Sequence, residues 1–252
     1  MNTRPSLYII CLLLLSAVGC KLDAQTVVKP VRQENDSANH ALIHQIGFDV
    51  RPGYVAPTNS FLEGDNAQRQ KIDRSLSLHL KYAFQFSKDS YLGKLYPHSY
   101  QGIGVSHNTF YNSAELGNPV AVYAFQGAPI VGLSSRLSLD YEWNFGASFG
   151  WKQYDEHSNW YNNAIGSKIK AYINLGFVLN WQFYPQWKLA AGVDFTHFSN
   201  GNTRYPNGGL NTIGGRVGIV RTFNAEDKAS GAIAVSYTHL RAHETVLYLV
   251  CR

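Results

Sequence analysis

The chain has 252 residues, of which 45% are hydrophobic and only 15% charged, against about a quarter charged in an average soluble domain. A helical membrane protein is excluded, because no stretch past the N-terminus holds the run of about 18 apolar residues that a spanning helix needs. The formal net charge of +5 comes from scattered Lys and Arg with no basic run or basic helix face, which argues against nucleic acid as a partner.

Met1–Arg4 is basic and Leu7–Val18 is an apolar run too short to span a bilayer, so residues 1–24 are expected to be a secretory signal. Ala17-Val18-Gly19-Cys20 resembles a lipobox in which Cys20 would be acylated; ordinary cleavage after Ala24 is the favoured alternative. Residues 25–40 are polar and read as a flexible lead-in. The 3 cysteines, Cys11, Cys20 and Cys251, all lie outside the body at 41–235, which therefore can hold neither a disulfide framework nor a cysteine-ligated zinc.

From residue 44 the chain alternates with period two. In 75–86, Leu76, Leu78, Leu80, Tyr82, Phe84 and Phe86 share one face, opposite Ser77, His79, Lys81 and Gln85. Two longer runs follow the same rule. Leu137 to Trp151 puts Tyr141, Trp143, Phe145, Phe149 and Trp151 on the apolar side, and Ile169 to Phe183 does the same with Leu175, Phe177, Leu179 and Trp181. Strands this long exceed the usual 5–6 residues of a soluble sandwich. Charges confined to the opposite face suit the polar interior of an all-β transmembrane antiparallel β-barrel. The weaker candidates are 44–55, 101–109, 119–127, 187–199, 211–223 and 231–237. Bacterial barrels have even strand numbers, so eight are expected, with 101–109 the weakest member. Residues 236–252 break the pattern and are expected to be a non-native tail replacing the true C-terminus. Its His239, His243 and Glu244 fall at helical spacing, a weak zinc signal with no further ligand.

The strand beginning at Trp187 keeps Leu189, Ala191, Val193 and Phe195 on its outward face, and the next two outward positions are His197 and Ser199. Side chains at i and i+2 stand roughly 6.6 Å apart along a strand, near enough for a base and nucleophile to meet. The same parity on 211–223 puts Asn211 on this outward surface, as the group that orients the imidazole. Asp194 has lumen parity and cannot serve. Tyr184-Pro185-Gln186 reads as a short periplasmic turn. Ten residues from Trp187 to His197 then climb on the order of 25 Å at about 40° tilt, to the outer-leaflet interface. A strand end emerging into water would also be polar.

The stretch His197-Phe198-Ser199-Asn200-Gly201, followed by Asn207 and Asn211, resembles the active-site segment of the lipid A 3-O-deacylase family of outer-membrane enzymes. The resemblance implies an eight-stranded barrel that uses no metal or other cofactor and takes lipid A of lipopolysaccharide as its membrane substrate. It makes His197 the base and Ser199 the nucleophile, with Asn200, Gly201 and Asn207 in oxyanion or site-shaping roles. Asn211 departs from the glutamate of the deacylases. That asparagine also looks like outer-membrane phospholipase A, which would imply calcium, a larger barrel and a homodimer. A non-catalytic porin-like or OmpA-like barrel would show the same strand pattern.

Overall fold

Period-two alternation assigns one face of each strand to lipid and the other to the interior, and closing the sheet on itself removes the unpaired edges that a bilayer cannot satisfy. The computed structural model describes residues 42–223. Its strands are β1 (Ile43–Val55), β2 (Arg74–Gln85), β3 (Tyr100–Thr109), β4 (Gly117–Ser134), β5 (Leu137–Trp151), β6 (Ile169–Tyr184), β7 (Trp187–Ser199) and β8 (Leu210–Phe223). Each pairs with its neighbour in the chain, and β8 returns antiparallel to β1, closing an eight-stranded barrel. Two short helices, α1 (Ser60–Glu63) and α2 (Tyr91–Leu95), lie in the connections. Among the described residues no helix is long and apolar enough to cross a membrane.

Two expectations need correction. The weakest candidate, 101–109, is a full member: β3 pairs with β2 from Leu76↔Thr109 to Gln85↔Tyr100 and with β4 on its other side. Closure needs no strand at 231–237, which lies outside the described residues, as do the signal, Cys20, the lead-in and the tail. Trp151 does not continue the outward face of β5. It is 3% exposed and its indole donates to Ser148 Oγ at 2.8 Å. Gly150 takes a left-handed φ of 89°, and a register shift between Gly117 and Val120 of β4 accompanies the reversal. Such a bulge re-aims the next side chain.

The interior is filled. At mid-height Asp49, Arg51, Lys81, Glu142, Asp194 and Arg216 are all buried and balance three cations against three carboxylates. Arg216 reaches Asp194 at 2.5 Å and Glu142 at 2.7 Å, Arg51 reaches Asp49 at 2.8 Å, and Lys81 bridges Asp49 at 2.9 Å and Glu142 at 3.1 Å. Above this layer an apolar cap of Phe61, Phe110, Trp151, Tyr172, Phe198 and Leu210 closes the barrel. Two interior cavities measure about 30 and 20 Å³, room for about one to three waters each, so among the described residues the lumen is a packed core. Two of the connections at one end are tight turns at 135–136 and 185–186. The other end carries loops 56–73, 110–116, 152–168 and 200–209, the asymmetry by which long loops mark the extracellular side.

Candidate active site

β7 and β8 run side by side with His197 paired to Asn211, Phe195 to Ile213 and Val193 to Gly215. The burial pattern of β7 buries Ala190, Asp194 and Phe198 and exposes Leu189, Ala191, Val193 and Phe195. His197 and Ser199 therefore continue the lipid-facing row, half-buried at the long-loop end of the wall. Asn211 holds the matching outward position on β8, and its carbonyl accepts the Ala56 amide at 2.9 Å. Its side-chain Oδ1 lies 2.6 Å from His197 Nδ1. With Oδ1 as acceptor, the imidazole proton sits on Nδ1 and the Nε2 lone pair is free. Asp194 is turned into the lumen and held by Arg216, as its parity requires.

Ser199 pairs across β6 with Ala171 and His197 with Ile173. Ala171 is a small neighbour that leaves room beside the hydroxyl. The Ser199 Oγ accepts the Gly201 amide at 3.1 Å; among the described residues no hydrogen bond joins it to the imidazole. Gly201 has φ 63°, the left-handed turn that folds its N–H back over the strand end. Asn200 and Asn207 are turned into their own loop. Asn200 Nδ2 donates to the Arg204 carbonyl at 2.6 Å and its Oδ1 accepts the Asn202 amide at 3.1 Å, while Asn207 Nδ2 donates to Asn202 Oδ1. The loop is braced from 152–168: a Cβ on Gly166 would stand 2.3 Å from the Pro206 carbonyl oxygen, so only glycine allows that approach. In the same bracing loop, hydrogen bonds from the Ser158 hydroxyl and the amides of Ser158 and His157 hold the exposed Asp155 carboxyl below its ordinary range.

Sequence reasoning missed the residue that orients the pair. Phe198, between His197 and Ser199, points inward, with its ring centroid 5.0 Å from Trp151, 5.5 Å from Tyr172 and 5.9 Å from Phe110. This aromatic cluster anchors the strand from inside and so fixes which way its neighbours face. Phe198→Leu is expected to cost about 1–2 kcal/mol through lost ring contacts, read as a lower denaturant midpoint; an unchanged midpoint would refute the anchoring role.

An eight-stranded barrel with a polar, packed interior and an apolar outer wall defines an integral outer-membrane β-barrel protein. The sequence pattern of the lipid A 3-O-deacylase (PagL) family matches residues 70–220, more than half of the chain, and the chain belongs to that family. It is an outer-membrane ester hydrolase whose substrate is lipid A. Three solved structures are similar to this chain at low identity. Neisserial surface protein A is 6% identical, with TM-score 0.45, over 71% of this chain and 97% of its own. The outer membrane enzyme PagL is 11% identical, with TM-score 0.45, over 68% and 97%. The N-terminal barrel domain of Pseudomonas aeruginosa OprF is 10% identical, with TM-score 0.40, over 73% and 98%. No curated protein matches the sequence. Neither the eight-stranded closure nor the family match supports the phospholipase resemblance and the homodimer it implied.

Proposed function

We propose that 3-O-deacylation is carried by Ser199 as nucleophile and His197 as general base, oriented by Asn211, without a metal, at the outer leaflet. The observation that carries this reading is the 2.6 Å contact between His197 Nδ1 and Asn211 Oδ1 on the lipid-facing surface, beside an outward serine. In the resting state the serine hydroxyl is bonded to Gly201. Rotation about its χ1 brings Oγ toward Nε2, a tightening expected once substrate excludes water.

His197 Nε2 then takes the Ser199 proton as Oγ attacks the ester carbonyl of the 3-O-acyl chain. The Gly201 N–H, already directed at Oγ, is the nearest donor for the oxyanion, and the Asn200 and Asn207 amides shape the loop that holds it. Collapse breaks the bond to the sugar oxygen, which leaves with the proton returned by the imidazolium. Water, deprotonated by His197, next attacks the acyl-enzyme and releases the fatty acid. An amide stabilises imidazolium less than a carboxylate, so Asn211 acts mainly by holding the tautomer.

The test uses purified full-length protein in EDTA with lipid A, followed by mass spectrometry of the products. Wild type is expected to release the 3-hydroxy fatty acid, and Asn211→Ala to do so about 10²-fold more slowly. A requirement for calcium, or an undiminished rate in the variant, would overturn the reading.

A further inference from the structure

The glycines of the strands fall into two kinds. Most face the lumen and are there for want of space: a Cβ would stand 1.9 Å from the Tyr82 carbonyl oxygen at Gly102, 2.0 Å from the Val122 oxygen at Gly146, 2.2 Å from the Phe177 oxygen at Gly192 and 2.2 Å from the Pro52 oxygen at Gly214. Gly215 differs in both respects. Its parity on β8 is outward, shared with Asn211, Ile213, Val217 and Ile219, and a Cβ there would meet only the Gly192 oxygen, at 3.9 Å. Neither packing nor backbone demands a glycine at this position.

The effect on the wall is a notch. Above and below it project Ile213 and Val217, 58% and 64% exposed, and beside it Val193, 59% exposed. Directly up the same pair of strands, four residue pairs away, stand His197 and Asn211. Four residues at roughly 3.3 Å each, at about 40° tilt, place the notch on the order of 10 Å deeper than the imidazole. An acyl tail entering from the interface traverses about 15 Å, half of the hydrocarbon core. The notch thus lies on the path and within the depth of a chain whose ester carbonyl is at Ser199.

We infer that Gly215 is a specificity-determining position: the notch receives the lower part of the acyl chain being cleaved and favours substrates whose 3-O-acyl chain is long enough to reach it. The inference rests on the assignment of His197 and Ser199. Occupancy adds apolar contact for long chains that short chains cannot make, so filling it should penalise long substrates selectively.

The experiment compares hydrolysis of synthetic lipid A carrying short or long 3-O-acyl chains by wild type, Gly215→Trp, and Val122→Trp, which places the same side chain at an outward position on β4. Gly215→Trp is expected to lower the long-to-short rate ratio about tenfold or more, the discrimination that apolar pockets achieve, with the short-chain rate retained and Val122→Trp without effect. An unchanged ratio, or the same fall for both tryptophan variants, overturns the notch, as it would if an unrelated phospholipid tail occupied it. Ser199→Ala run alongside separates the two readings. Activity lost on both substrates leaves the catalytic assignment standing whatever Gly215→Trp does, and activity retained removes that assignment independently.

Discussion

Ser199→Ala is expected to abolish release of the 3-O-acyl chain from lipid A, lowering the rate by at least about 10³-fold, while the barrel stays folded. The size of the effect follows from chemistry: alanine has no oxygen to form the acyl-enzyme, and what remains is a direct attack by water on the ester. The innocence of the fold follows from position. Ser199 is half-buried on the outer wall, and its hydroxyl accepts one hydrogen bond, from the Gly201 amide, so its removal falls within the ±0.5 kcal/mol or so usual for surface changes. His197→Ala and the double variant should fall to the same floor as Ser199→Ala, because base and nucleophile act as one unit and their losses do not add. Mass spectrometry of lipid A from expressing cells reads the chemistry, and the heat-dependent gel mobility of the barrel reads the fold. A folded Ser199→Ala protein that still deacylates would remove the assignment.

How far these features could be seen in the sequence depended on whether one strand or two were needed to see them. Parity within β7 placed His197 and Ser199 outward, and parity within β8 placed Asn211, because side-chain direction alternates with nothing but the local backbone. Register between strands is a tertiary property, and what depended on it was not legible. Ala171 stands across from Ser199 and Asn211 across from His197, yet neither pairing follows from spacing. β3 was hard to read because Gly102 and Gly104 dilute its alternation. Both are there for neighbours elsewhere in the chain: a Cβ on Gly104 would fall 2.5 Å from the Tyr123 ring of β4. Trp151 was misassigned for a related reason, since a left-handed Gly150 reverses parity without any change in the apolar pattern. The site loop followed the same rule. The motif named Asn200, Gly201 and Asn207, but only the folded loop distinguishes the backbone amide that reaches the serine from the side chains that tie the loop to itself.

Arg216→Met should be the most destabilising of these substitutions, at about 3–5 kcal/mol, although Arg216 never approaches the substrate. Its guanidinium joins β8 to Asp194 of β7 and Glu142 of β5, inside a cluster whose three cations balance three carboxylates. Methionine keeps most of the volume but leaves one negative charge uncompensated in a closed interior. Lys81 still reaches Glu142 at 3.1 Å, whereas Asp194 is left with Arg51 at 3.3 Å. The penalty is thus largely that of a buried carboxylate short of a partner, and adding Asp194→Asn should recover part of it by restoring neutrality. Urea titration of barrels in lipid vesicles measures this order: wild type most stable, the double variant next, the single variant least. Equal midpoints for wild type and Arg216→Met would refute it. Deacylation per folded molecule separates scaffold from site. Asp194 and His197 share β7 but face opposite sides of the wall, so the folded fraction of Arg216→Met should retain its rate, the lumen charges setting how much barrel there is and not how fast it works.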